Sequence, residues 1–147
     1  AEAWAWHRRF IETRAEAYDP RVVSRMKLGA GMGAADLIAL QAARQRWIGE
    51  VAAAMAGLDA LLMPTVPIVA PAIAPLEQDE AAYFRANGLL LRNPTLINFL
   101  DGCALSLPCH EPGSAPVGLM LAGTGGSDAR ILSLGLAVEQ ALARRAG

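Results

Sequence analysis

Gly102-Cys-Ala-Leu-Ser-Leu-Pro-Cys-His-Glu-Pro-Gly-Ser-Ala-Pro-Val-Gly-Leu-Met-Leu-Ala-Gly123 is the stretch on which the fold class turns. It holds two short apolar runs, Ala104 to Leu107 and Val117 to Ala122. Between them, Pro108 to Pro116 is rich in turn formers, so the runs read as two strands. Gly123 to Gly126 then reads as a loop, and Ser127 as the cap of a last helix reaching about Arg145. Ile131, Leu134, Val138 and Leu142 recur at helical spacing and predict one buried face. Ser127-Asp128 at its start and Arg144-Arg145 at its end suit the helix dipole.

Moving outward, a third strand is expected over Leu58 to Met63, an apolar run ended by Pro64. Pro64 to Pro75 carries four prolines and no helix signal, so it is expected to be an extended loop. A short helix over Asp79 to Leu90 and a second from about Pro94, ending before Gly102, are expected to follow. Upstream, Ala1 to Ala17 reads as a helix. Asp19-Pro20 is an N-cap followed by proline at the first helical position, starting a helix that runs to about Leu28. A long helix from about Ala34 to Ala56 carries Leu37, Leu40, Trp47, Val51 and Met55 as one stripe expected to be buried, with Gly57 placed to close it. Helices alternating with a few buried strands make the class α/β. No repeat or linker divides residues 1–147, which read as one domain portion.

The totals exclude several functions. At 147 residues and 54% hydrophobic, the chain can bury a core and is not disordered in character. Thirteen basic and fourteen acidic side chains give a formal charge of -1. No basic surplus exists to neutralise a phosphate backbone, so nucleic acid is not an expected partner. The apolar runs are too short for a membrane span. The start, Ala1-Glu-Ala-Trp4, lacks the layout of a secretion signal, and an initial Ala without Met suggests a fragment. Two cysteines make no disulfide framework, so free thiols and a cytoplasmic setting are expected.

Residue by residue, most chemistry is doubtful. His7 and His110 are far apart, and with Cys103 and Cys109 they have no ligand spacing, so no metal or other cofactor is expected. Cys109 and His110 are neighbours whose side chains diverge on a strand, and both cysteines read as small buried thiols. Ser106 lacks the Gly-x-Ser-x-Gly elbow and reads as a core serine. Gly29-Ala-Gly-Met-Gly33 follows a helix and has the wrong spacing for a dinucleotide loop, so it reads as a helix–helix turn. Gly123 to Ser127 could cradle an anion on free amides, though a plain strand-to-helix turn accounts for it better.

Three segments in order carry a resemblance. Asp59-Ala-Leu-Leu-Met-Pro-Thr-Val-Pro67, with Ala70-Pro71 and Ile73, resembles the D-x-L-L-x-P-T-x-P-x-x-A-P-x-I stretch of amidase-signature enzymes. Asn98 to Cys109 resembles their N-x-x-G-x-P-A-x-S-x-P segment. Pro116 to Gly123, then Asp128, Leu132 and Glu139, resembles their closing pattern. Tyr18, Arg25 and Gly29 fit as well, so the likeness covers nearly the whole chain. Cys103 stands where many members have proline, and Met120 where many have glutamine.

The resemblance implies the C-terminal part of the amidase-signature fold: a few strands of a mixed sheet covered by helices. It also implies hydrolysis of a carboxylic amide by a serine nucleophile, a bridging serine and a lysine, since a neutral serine needs an adjacent base. The family carries these upstream of the region seen here. This chain has one lysine, Lys27, and five scattered serines without a Gly-Ser-Ser-Gly run. Lys27 reads as a surface lysine, and no catalytic residue is assigned. The resemblance places Arg25 where glutamine-handling relatives hold a substrate carboxylate, which a planar guanidinium suits, and an ordinary helix-surface arginine is the alternative reading. Leu91 lies near the position where those relatives carry an acid for the α-ammonium, which argues against free glutamine. Arg92 and Asn93 lie on the same approach and complete the substrate-binding candidates.

The leading expectation is therefore part of an amidase, dependent on an upstream amidase segment for its nucleophile and taking a small amide substrate. A non-catalytic structural or interaction module, and a small anion or nucleotide binder using the Gly123 to Ser127 loop, are the alternatives. A portion cut from a larger fold bares apolar surface, so self-association or a retained partner chain is expected.

Overall fold

The computed structural model describes residues 1–145. Its contacts divide the chain into two compact units, Ala1–Arg46 and Trp47–Gly147.

In the first unit, α1 (Glu2–Arg14) runs into a 3-10 turn at Ala15–Ala17. Asp19 caps α2 (Pro20–Lys27), as its sequence predicts: its side chain accepts the Arg21 N–H at 2.8 Å, and Pro20 occupies the first turn. The Arg21 guanidinium meets the same carboxylate at 2.9 Å. These hydrogen bonds hold the Asp19 carboxyl below its ordinary value. His7 and Tyr18 close the unit, with Nδ1 3.0 Å from the phenol oxygen. Gly29 to Gly33 is the expected helix–helix turn, with a 3-10 turn at Leu28–Gly31. The Gly33 N–H then donates to Asp36 at 3.0 Å as α3 (Ala34–Ala54) begins.

The expected buried stripe on α3 is not found. Leu37 and Leu40 are exposed, and Trp47, Val51 and Met55 are only half-buried. Helical spacing aligned these residues on one side, but alignment does not supply a surface to cover them. Gly57 closes the helix at φ +81, as its position suggested.

The second unit is built on a three-stranded antiparallel sheet of β1 (Leu61–Pro64), β2 (Cys103–Pro108) and β3 (Gly118–Gly123), in the order β1-β3-β2. The strand expected over Leu58 to Met63 is shifted and mostly exposed. A turn in which the Leu58 N–H donates to Met55 O uses up its first residues, and β1 then runs along a sheet edge. β3 is central, and its two faces fill differently. Leu119 and Leu121 share one face with Leu105 and Leu107, through the pairs Leu105↔Leu121 and Leu107↔Leu119. Ile131, Leu134, Val138 and Leu142 of α6 (Asp128–Arg145) cover that face, as their spacing predicted. On the other face Met120 and Ala122 pack with Ile97 and Met63.

Ile97 belongs to α5 (Glu80–Leu100), which follows a short α4 (Ile73–Gln78). The two helices expected over Asp79 to Leu90 and from Pro94 are in fact this one helix, with Pro94 inside it. Proline removes a hydrogen bond and crowds the preceding turn. Here both ends are fixed independently. Asp79 accepts from the Ala81 and Ala82 N–H groups, and Asp101, at φ 60, closes the last turn. Ala86, Asn93, Ile97 and Leu100 are buried along its length, so packing outweighs the local cost.

The cap at Asp79 is exposed, and its backbone hydrogen bonds hold the carboxyl below its ordinary value of 3.8. A folded-state pKa below the unfolded one stabilises above the unfolded pKa and is lost as pH falls through the folded pKa. The thermal midpoint of the parent chain is therefore expected to drop from about pH 4 to about pH 3, where an ordinary aspartate begins to take up its proton. In Asp79→Asn, which keeps a capping oxygen without a charge, that drop is expected to be smaller; equal slopes would show that the Asp79 charge does not contribute.

Candidate functional site

Three of the motif segments meet at one end of the sheet. β1 ends at Pro64, and the next residue, Thr65, donates its N–H to Gly118 O at 2.8 Å. The Thr65 hydroxyl then meets the Ser106 hydroxyl at 2.5 Å, from 41 residues away. The pair crosses above Gly118. A Cβ there would stand 2.5 Å from Ser106 Oγ and 2.6 Å from Thr65 Oγ1, so only glycine leaves the two hydroxyls room.

Asn93 anchors the same end from α5. It is the one buried polar side chain among the described residues, 7% exposed. Its Nδ2 donates to Pro64 O at 2.7 Å, and its Oδ1 accepts from Arg92 Nε at 3.2 Å. A main-chain carbonyl on an edge strand is thereby satisfied, and both ends of the amide are used. Arg92 and Asn93, two of the residues singled out from the sequence, thus come together with Pro64. Arg25 lies exposed in the first unit, on α2. Lys27 is exposed too, in keeping with a surface role.

Ser106, expected in the core, is instead exposed. It lies on the sheet face with Met120, through the pair Ser106↔Met120, but on the outer strand. Cys109 is likewise exposed rather than buried, and Cys103 is half-buried. Each thiol donates to a main-chain carbonyl, Cys103 to Thr124 and Cys109 to Val117. The Thr65–Ser106 contact had no signal along the chain beyond the two motifs, because strand pairing alone makes it.

None of the five serines is hydrogen-bonded to Lys27 or to a histidine among the described residues. Ser24 and Ser114 donate to the carbonyls of Arg21 and Glu111, and Ser106 and Ser127 meet threonine hydroxyls. No group of three or more His, Cys, Asp or Glu among the described residues could hold a metal ion. No helix among them is long and apolar enough to cross a membrane. The loop of Gly123 to Ser127 turns β3 into α6, and Ser127 O accepts the Ile131 N–H at 3.0 Å. It lines a cavity of about 240 Å³ with Asp59 and Arg130.

Gly118→Ala is expected to lower stability by about 1–3 kcal/mol in urea unfolding, the usual cost of forcing a methyl into filled space. An unchanged midpoint would show that the hydroxyls swing aside freely.

Comparison with known proteins places this geometry. The Amidase family model matches residues 2–132. The chain is 31% identical to 2-amino-5-chloromuconic acid deaminase of Comamonas testosteroni over 86% of this chain and 27% of that protein. It is 27% identical to a glutamyl-tRNA(Gln) amidotransferase subunit from Halobacterium salinarum over 92% of this chain and 32% of that one. Indoleacetamide hydrolase of Rhizobium radiobacter is 39% identical over 60% of this chain and 20% of its own length. A crystal structure of an amidase superposes with a TM-score of 0.69 at 26% identity, over 88% of this chain and 30% of the other. The chain therefore spans about a third or less of each of these four relatives. With the family model matching most of its length and an amidase structure superposing on it, this chain belongs to the amidase family.

Proposed function

We propose that this chain is the part of an amide hydrolase that completes the fold and walls the substrate pocket, while an upstream amidase segment supplies the nucleophile and its base. The observation that carries the reading is a likeness over most of this chain that covers only 27% and 32% of two of the relatives. The state of four of the five serines supports it: the observed partners of Ser24, Ser106, Ser114 and Ser127 are carbonyls and threonine hydroxyls, neither of which can take a proton from a nucleophile. The reaction is cleavage of a carboxylic amide C–N bond in a small molecule. Arg25, Arg92 and Asn93 are the proposed substrate-binding side chains, and leucine at position 91 argues against free glutamine. The free cysteines suit the cytoplasm as its setting.

A covering partner belongs to the same proposal. It is supported in each unit by large apolar side chains more than half exposed, Trp6, Leu28 and Ile38 in the first and Ile73 and Leu136 in the second. In the absence of the upstream segment, a second copy of the chain takes its place.

The test joins this chain to the upstream part of the Comamonas deaminase. The chain alone is expected to give no amide turnover, and the chimera measurable turnover of a simple amide. Size-exclusion chromatography of the chain alone is expected to show a mass above its 15.5 kDa. A chimera that folds but stays inert would end the catalytic reading. A clean monomer would end the claim of a covering partner.

A further inference from the structure

Arg92 is set apart from the other arginines by what surrounds it. Between Arg85 and Asp101 it is the only charged residue of the sequence. One turn to either side on α5 stand Gly88, Leu89, Thr95 and Leu96, none of which can neutralise it. Leu89 and Leu96 are 37% and 46% exposed, so the cation stands in an apolar stripe rather than on a mixed-charge surface. Arg85, two turns earlier, shows the ordinary arrangement, with Asp79 3.6 Å away. No carboxylate lies within ion-pair distance of Arg92 among the described residues.

Its guanidinium is nonetheless held. The Nε donates to Asn93 Oδ1 at 3.2 Å, and Asn93 is itself buried and bonded to Pro64 O at 2.7 Å. This engages one edge of the planar group and leaves the two terminal nitrogens for another acceptor. Those two nitrogens form a fork that matches the two oxygens of a carboxylate. Holding the fork in advance removes part of the entropy that a free arginine loses on binding.

We propose that Arg92, oriented by Asn93, receives the carboxylate of an amphipathic substrate whose apolar body lies along Leu89 and Leu96. The inference rests on the reading that this chain walls a substrate pocket, and it narrows the substrate to an amide that also carries a carboxylate on an apolar chain. Asn93 is a positioning residue in this arrangement, and Arg92 the specificity-determining one.

The test uses the 147-residue chain, labelled with 15N and at the leucine methyls, at low ionic strength. Hexanoate, hexanamide and acetate are titrated in turn, with the arginine Nε–Hε and leucine methyl signals followed by NMR. Hexanoate is expected to give a saturable shift at Arg92, Leu89 and Leu96, with at least tenfold higher affinity than either hexanamide or acetate. Arg92→Gln, an exposed substitution that leaves Asn93 its tie to Pro64, is expected to bring hexanoate down to the level of hexanamide. Equal binding of hexanoate and hexanamide would overturn the proposal. So would Arg85 and Arg130 signals that titrate at the same midpoint as Arg92, which would mean diffuse screening. Repeating the titration on the chimera adds a further check, since an upstream segment that shields Leu89 and Leu96 and abolishes the shift also overturns it. Because no hydrolysis is read, an inert chimera and a failed titration remain separate results.

Discussion

The second unit depends on β3 being covered on both faces. Met120, Leu121 and Ala122 are 4%, 1% and 1% exposed, the deepest consecutive run in the structure. A three-stranded sheet with one bare side holds itself together poorly, because the apolar half of its pleat stays in water. Here α6 takes one face and α5 the other, so each apolar side chain of β3 finds a layer to enter. The edge strands β1 and β2 gain their order from β3, to which both are paired.

That arrangement also creates the polar cluster. Because β1 and β2 flank the same strand, Thr65 and Ser106 approach each other only across β3, at the residue without a side chain. Because α5 must lie on the face of Met120 and Ala122, Asn93 is carried to the end of β1, where Pro64 O needs a donor. The buried amide then passes its remaining acceptor to Arg92. Packing of the core thus sets the position of a charged group at the surface, and the proposed function lies at the end of that chain of contacts.

Much of this was legible in the residues. The caps at Asp19 and Gly57, the strands around Pro108 to Pro116 and the packing of the α6 stripe onto the sheet follow from local chemistry, and all are found. What failed were readings that needed a neighbour. The spacing on α3 says which leucines align but not whether anything covers them. Pro94 predicts a break, and only packing along Ala86, Ile97 and Leu100 explains why α5 continues through it. Ser106 sits in an apolar strand and still lies exposed, because exposure depends on whether a strand is central or at the edge. Arg92 and Asn93 could be picked out by their place in the family pattern. The hydrogen bond from Asn93 to Pro64 is tertiary, reaching a residue 29 positions away, and no local pattern encodes it.

The division of labour proposed for this chain, cavity wall here and nucleophile elsewhere, predicts that no serine in it is activated. A fluorophosphonate probe, which reacts with activated serine hydroxyls, followed by intact-mass measurement of the purified chain, addresses this directly. The account predicts an unshifted mass after incubation under conditions that label a complete amidase. A stoichiometric adduct on Ser106, or on any other serine of the chain, would contradict it.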